Sequence, residues 1–415
     1  MNLQPETFDL QLETMAYGGD AMGRLDDGRA VFVPFGLAGE RVRVRLTEEK
    51  KNFARAEILQ VLESSRDRIQ PRCKHFGECG GCHYQHLPYE KQLLVKTEIL
   101  RDQLIRIGKF EDPPVQPMVP CPNPWSYRNH IQFSLDENGK LGYVSSLTAG
   151  EGLGVMAINE CHLPEPVIND FWHQLEFEPE TRIERVSLRA GSDEDLMLIL
   201  ESDSPELPQL DIEAGISIAH VYDENSIVVA GNNHILIHVL DRAFKVSAAS
   251  FFQVNAVMAG KMVEHLLARL PVSSTTTLLD LYCGVGLFSA FFAPKCKSVI
   301  GVESSVSACD DFTANLDEFD NVELYEGLVE EIVPHLQAKP DVVLVDPPRA
   351  GLDKRVVEGL LKLNPKHIAY VSCDPSTLAR DAARLIAGGY KLKDVMPFDL
   401  FPQTYHIESI SLFER

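Results

Sequence analysis

The chain has 415 residues, 45% of them hydrophobic and 24% charged, values of an ordinary globular protein long enough for two or three cored domains. No apolar run is long enough to cross a bilayer and the N-terminus lacks a basic leader with an apolar core, so a cytoplasmic protein without a membrane partner is expected. The formal net charge of -22 excludes general attraction to phosphates, so any nucleic-acid partner needs a local basic face.

Residues from about Phe8 to Leu62 read as a small all-β module. Segments such as Ala30-Val31-Phe32-Val33 and Arg41-Val42-Arg43-Val44-Arg45 alternate, with turn chemistry at Gly18-Gly19, Asp26-Asp27-Gly28 and Gly36 to Gly39. Arg41, Arg43 and Arg45 fall on one strand face, as an oligonucleotide-binding barrel would present; a solvated strand face is an equal reading.

Nine cysteines, several clustered, point to ligands and a catalytic thiol rather than a disulfide framework. Cys73, Cys79 and Cys82 form C-x5-C-x2-C in a glycine-rich loop, and Cys161 is the natural fourth ligand. Four thiolates suit tetrahedral zinc or an iron–sulfur cluster, and composition does not choose. Leu87 to Ile107 has helical periodicity and is expected to end near Gly108. From Trp125 to about Val246 short strands return, opened by Ser126-Tyr127-Arg128-Asn129-His130.

From about Leu278 strands and helices alternate. Leu278 to Leu281 leads into Tyr282-Cys283-Gly284-Val285-Gly286, and the next strand ends in Glu303, an acid placed to accept both ribose hydroxyls of an adenosine. A third phosphate-binding glycine and a Walker lysine are missing, which disfavours a dinucleotide or ATP. A cationic sulfonium needs no phosphate cradle, so S-adenosylmethionine is expected. The fourth strand delivers Asp346-Pro347-Pro348-Arg349, and the fifth delivers Ser372-Cys373-Asp374-Pro375, with Asp374 as helix N-cap and Pro375 as the first helical residue. Asp280, Glu303, Asp346 and Cys373 thus emerge at one sheet edge. The helix terminus is expected to stabilise a Cys373 thiolate. Near the end, His406 and Glu408 share one face by the strand period of two.

Ala16-Tyr17-Gly18-Gly19-Asp20-Ala21-Met22-Gly23-Arg24 resembles a TRAM domain. With the four cysteines, Phe251-Phe252-Gln253-Val254-Asn255, the Asp280 to Ser289 loop, Asp346-Pro347-Pro348-Arg349, Ser372 to Pro375 and His406-Ile407-Glu408, the whole chain resembles the RNA uracil-C5 methyltransferase family, in its iron–sulfur, TRAM-containing branch. The resemblance implies a class I, Rossmann-like α/β S-adenosylmethionine-dependent methyltransferase. It would carry an N-terminal OB-like barrel (1–65), a central β-rich domain with the cluster (66–250, its helix over 87–108 available to pack on the catalytic domain) and a catalytic domain (251–415). It further implies that Cys73, Cys79, Cys82 and Cys161 bind a 4Fe-4S cluster, and that Gln253, Tyr282, Glu303 and Asp346 line the S-adenosylmethionine and uracil site. Cys373 would be the nucleophile and Glu408 the general base.

The implied partner of this monomer is RNA, with large-subunit ribosomal RNA favoured and transfer RNA the alternative, held in a basic groove between barrel and catalytic domain. A non-catalytic RNA-binding or ribosome-assembly protein is disfavoured by Cys373 and Glu408. An adenine amino-methyltransferase is disfavoured by Arg349, where that chemistry prefers an aromatic.

Overall fold

The computed structural model describes residues 7–145, 154–179, 181–207, 215–223 and 225–415. Strands β1 (Thr7–Met15), β2 (Ala21–Arg24), β3 (Ala30–Val33), β4 (Arg41–Glu49) and β5 (Phe53–Glu63) close into a barrel in the order β1-β2-β3-β5-β4. Alternate residues fill its core, among them Leu10, Leu12, Val31, Val42, Val44 and Ala54. The arginines of β4 do point outward, but they are not a free cationic face. Antiparallel register sets Arg43 opposite Asp9, and Arg45 and Arg41 opposite Glu57 and Glu63. Arg43 Nε donates to Asp9 Oδ1 at 2.8 Å, Arg45 pairs with Glu57, and Arg41 reaches Glu63 at 3.6 Å. Cross-strand acids neutralise the stripe.

Helix α1 (Tyr89–Arg106) follows. The central sheet contains β6 (His130–Leu135), β7 (Leu141–Val144), β8 (Val155–Ala157), β9 (Ile183–Ala190), β10 (Leu196–Ser202), β11 (Ser217–Tyr222) and β12 (Asn225–Ala230), ordered β12-β11-β10-β9-β6-β7-β8. Helix α2 (Pro166–Trp172) buries Ile168 and Trp172 in its core. The hairpin β13 (His234–Val239) and β14 (Arg242–Ser247) leads to α3 (Ala256–Arg269).

The C-terminal sheet takes β15 (Thr277–Leu281), β16 (Ser298–Glu303), β17 (Val322–Glu326), β18 (Val342–Val345), β19 (His367–Ser372), β20 (Lys391–Phe398) and β21 (Glu408–Glu414) in the order β17-β16-β15-β18-β19-β21-β20. The first five are parallel; β21 runs antiparallel between β19 and β20. Helices α4 (Leu287–Phe292), α5 (Val306–Asn315), α6 (Val329–Ile332), α7 (Lys354–Leu363) and α8 (Pro375–Ala387) connect them. One face buries Leu278, Leu344 and Val371 against Met262, Phe288 and Phe312. The other buries Leu281, Val345 and Tyr370 against Leu360, Leu378 and three residues of α1, Ile99, Leu100 and Leu104. Covering on both faces is why these strands are continuously apolar. None of the helices among the described residues is long and apolar enough to cross a membrane.

Helix α1 is also fastened by polar contacts. Lys96 and Asp399 are both fully buried, with Lys96 Nζ donating to Asp399 Oδ1 at 2.6 Å and to the Phe401 carbonyl at 3.0 Å. Gln92 donates to Gln403 Oε1 at 2.9 Å and accepts from Gln403 N at 3.0 Å. These bonds fix the segment that leads into β21. Removing one partner of a buried ion pair strands the other charge, so Lys96→Met should destabilise the protein by ~3–5 kcal/mol. Lys96→Met combined with Asp399→Leu should regain most of that in guanidinium unfolding; a single variant within ~1 kcal/mol of wild type would contradict this reading.

Candidate active site

The parallel strands deliver their carboxyl ends to one edge, and that edge holds the acids and thiol singled out by sequence. After β15 the loop turns sharply: Tyr282, Gly284 and Gly286 have φ of 61°, 53° and 90°. A Cβ on Gly286 would lie 2.4 Å from Leu316 Cδ1, so glycine is required where this loop meets α5. Glu303, ending β16, braces the loop. Its Oε2 accepts from Gly284 N at 3.0 Å, and its Oε1 accepts from Ser304 N and Ser305 N at 2.7 and 2.8 Å. Asp280 lies within β15, fully buried, and accepts from Ser289 Oγ of α4 at 2.7 Å. Its other oxygen is buried without a hydrogen-bond partner, and burial pushes its carboxyl up to about 7.

Cys373 follows β19, and Glu408 opens β21. Ser372 pairs with Ser409 in that antiparallel ladder, and one further step of the register sets Cys373 across from Glu408. Asp346 arrives from β18 beside them. Burial pushes the Asp346 carboxyl up to about 7, with Asp280 adding to it. Burial, then Asp346, pushes Glu408 well above the usual carboxylate range, with Arg349 opposing. The helix terminus was expected to favour a Cys373 thiolate; the surroundings reverse that expectation. Burial pushes the thiol up to about 12, helped by Glu408, Asp346 and Asp374, and only Arg349 draws it down. Burial first, and three acids after it, outweigh a helix N-terminus and a single guanidinium.

Asp374 is the N-cap of α8 and Pro375 its first residue, as expected from sequence. Asp374 Oδ1 accepts from Ser376 N at 2.8 Å and Thr377 N at 3.0 Å. His406 does not share a strand face with Glu408, because β21 begins at Glu408 and the residues before it follow an irregular path. His406 instead lies against Tyr405, with ring centroids 4.3 Å apart and planes tilted by 42°, and Arg349 Nη2 approaches its Nδ1 at 3.5 Å. Burial, with Arg349 and Arg128 next, lowers the His406 imidazole to about 3. Gln253 enters from the segment between β14 and α3, where its carbonyl accepts from Asn129 Nδ2 at 3.1 Å. Its carboxamide makes no hydrogen bond among the described residues. Tyr17, Tyr405 and Arg349 were not assigned roles from sequence. Arg349 was signalled by the Asp346-Pro347-Pro348 turn; the other two have no local signature.

The junction between the barrel and the C-terminal domain holds aromatic rings, with Arg349 and Arg128 near them. Tyr17 meets Tyr405 edge-on at 5.9 Å and His83 meets Tyr405 at 4.6 Å. Cys73, Cys79, Cys82 and Cys161 line one cavity with Gln85, Arg128 and Tyr143. Gly81 N donates to Cys79 Sγ at 3.4 Å, so a backbone amide does reach a sulfur. Burial pushes the Cys82 thiol up to about 12 and the Cys161 thiol up to about 11, and the neighbouring thiols add to both. The four sulfurs therefore feel one another. Among the described residues no three His, Cys, Asp or Glu side chains converge tightly enough to hold a single ion.

Comparison with known proteins agrees with this architecture. The profile of the tRNA (Uracil-5-)-methyltransferase family matches residues 227–415, and that of the TRAM domain matches residues 5–59. The chain is 32% identical to an RNA methyltransferase of Caldanaerobacter subterraneus subsp. tengcongensis, over 99% of this chain and 98% of that one. It is 31% identical to another from Halalkalibacterium halodurans, over 99% and 97%. The chain belongs to the RNA uracil-C5 methyltransferase family. The tRNA (uracil-54, C5)-methyltransferase of Pyrococcus abyssi, solved with S-adenosyl-L-homocysteine, superposes with a TM-score of 0.73 at 25% identity, covering 98% of this chain and 100% of that one. The family and this likeness make the chain an S-adenosylmethionine-dependent enzyme acting on RNA.

The Asp374 cap joins strand, thiol and helix. Asp374→Ala should cost ~1–2 kcal/mol in urea unfolding while Asp374→Asn costs little, since asparagine caps comparably; equal losses in both would contradict the capping role.

Proposed function

We propose that this enzyme methylates C5 of a uridine in large-subunit ribosomal RNA through a covalent adduct between Cys373 and C6. The observation that carries the reading is the register of β19 against β21: Ser372 pairs with Ser409, which brings the neighbouring Cys373 thiol close to the buried Glu408. C5 of uracil is a poor nucleophile. When Cys373 sulfur bonds C6, the C5–C6 π pair moves toward O4 as an enolate, and C5 becomes nucleophilic. Bound S-adenosylmethionine supplies the methyl group. Glu408 then removes the C5 proton, the C5–H electron pair re-forms the C5–C6 π bond, and the C6–S bond breaks to release the thiolate. Gln253 is free to bind the base edge, and Asp346 to fix the imide edge.

For the cofactor, Tyr282 and Glu303 would take the adenosine and the half-buried Asp346 would face the sulfonium. The acidic pocket fits a cation: raised carboxyls lose their cost of ionising when a positive charge arrives. Cys73, Cys79, Cys82 and Cys161 would hold a 4Fe-4S cluster. Supporting this is the cavity the four cysteines line together. Transfer RNA is the second reading, favoured by the names of the matched family and of the Pyrococcus abyssi enzyme.

The test is methyl transfer to total RNA from cells lacking the gene, followed by mapping of 5-methyluridine. A site in large-subunit ribosomal RNA is expected; a transfer RNA site would establish the second reading, and no 5-methyluridine would overturn both. Glu408→Gln should accumulate a denaturant-stable methylated protein–RNA adduct, with turnover reduced ~100-fold or more. Free turnover by that variant would remove Glu408 from the base role.

Affinity for the cofactor should depend on pH. Asp346 is raised to about 7, and a cation lowers it, so affinity for S-adenosylmethionine rises as pH climbs through 7 and levels off above. Titration calorimetry should show ~10-fold tighter binding at about pH 8 than at about pH 6, with S-adenosylhomocysteine, which lacks the sulfonium, changing much less. Equal pH dependence for both ligands would contradict the sulfonium assignment.

A further inference from the structure

The turn between β1 and β2 of the barrel projects into the catalytic domain. Ala16 N donates to the Asp20 carbonyl at 2.8 Å and closes the turn. Gly19, with φ of 97°, lies over His83, where a Cβ would come within 3.1 Å of the His83 Cβ. At the tip, Tyr17 Oη donates to Asp374 Oδ2 at 2.9 Å, next to Cys373 in sequence. The same ring meets Tyr405 edge-on at 5.9 Å, and Tyr405 lies against His406, two residues before Glu408. One side chain from the barrel thus touches both segments that carry the thiol and the carboxylate.

We propose that Tyr17 is a positioning residue for Cys373, acting through the Asp374 carboxylate and so building the barrel into the active site. The inference rests on the reading of Cys373 as the nucleophile. Folding alone does not account for the contact. The barrel has its own core, and the α8 cap is already met through Asp374 Oδ1. What the hydroxyl adds is a donor for the remaining oxygen, Oδ2, holding it turned toward Tyr17. The charged groups facing Cys373 are Glu408 from β21, Asp346 and Arg349 from the turn after β18, and Asp374 itself; those facing Tyr17 are Asp374, Tyr405 and Arg349. Without the hydroxyl, Oδ2 loses its fixed direction and its partner beside the thiol. The thiolate then becomes harder to form.

Tyr17→Phe keeps the ring on Tyr405 and removes only the hydroxyl. Full-length wild type and variant are treated with iodoacetamide across a pH series, and alkylation of each cysteine peptide is followed by mass spectrometry. Cys373 of Tyr17→Phe should react roughly 3- to 10-fold more slowly at about pH 8, with its profile displaced to higher pH. Cys296 and Cys309 should be unchanged. Methyl transfer to total RNA from cells lacking the gene should slow by a similar factor in kcat with KM for S-adenosylmethionine unaltered. A Cys373 profile within about twofold of wild type overturns the proposal. So does a parallel change at Cys296 and Cys309, which would mean general loosening. Cys373→Ala separates the two readings. If it still methylates RNA, the nucleophile assignment fails; if it is inactive while Tyr17→Phe matches wild type, only the role of Tyr17 fails.

Discussion

Glu408 is buried, with half-buried Asp346 and Cys373 beside it, and the cost of placing negative charge there governs how the site can work. Burial raises all three; beyond it, Asp280 raises Asp346, Asp346 raises Glu408, and both Glu408 and Asp346 raise the thiol. Such groups titrate as a set rather than singly. Burial and these neighbours shift all three groups toward their protonated forms. A cation changes the balance for all three at once. This gives a physical reason for ordering in the proposed mechanism, because a sulfonium that favours the carboxylates also relieves the penalty on the thiolate. Arg349, on the turn that follows Asp346, is the fixed positive charge facing both Cys373 and Glu408.

The fold exists to bring these groups together from distant parts of the chain. Parallel strands present Asp346 and Cys373 at their carboxyl ends, whereas the antiparallel β21 must present Glu408 at its amino end to reach the same edge. That geometry makes the segment before β21 critical, and the structure secures it heavily. Lys96 and Gln92 of α1 hold Asp399, Phe401 and Gln403 from one side. His83 N and Tyr84 N, directly after Cys82, donate to the Gln403 carbonyl at 2.9 and 3.0 Å from the other. The cysteine loop, α1 and the barrel turn thus converge on a single irregular stretch, and the catalytic sheet alone would not fix it.

Much of this was legible in the sequence because it is written locally. Alternation in β1 to β5, the strand-Gly-x-Gly turn, acids at strand ends and the Asp-Pro cap of α8 each occupy a few consecutive residues. What sequence could not supply depends on pairing. Arg41, Arg43 and Arg45 look like a basic face until register puts Asp9, Glu57 and Glu63 opposite them. The direction of the Cys373 shift inverts once the thiol is desolvated, with Glu408 and Asp346 adding to it, since a helix terminus is a weak influence against burial and nearby acids. The period of two misplaces His406 because the strand starts after it. Tyr17 is separated from Asp374 by almost the whole chain, so no local pattern announces their bond.

The charge of -22 bears on how RNA is met. With the β4 arginines neutralised, the side chains around the pocket are Arg349, Arg128 and the rings of Tyr17, His83, Tyr405 and Phe401. Aromatic faces and isolated guanidiniums suit an unstacked base better than a duplex backbone, as extrusion of a target uridine requires. The central claim is that Cys373 bonds this uridine at C6. RNA transcribed with 5-fluorouridine tests it, because a C5 fluorine cannot leave as a proton and the adduct is trapped. With S-adenosylmethionine present, a denaturant-stable protein–RNA complex should form and its crosslinked peptide should contain Cys373. A crosslink on any other residue, or a complex formed equally well by Cys373→Ala, would contradict the account.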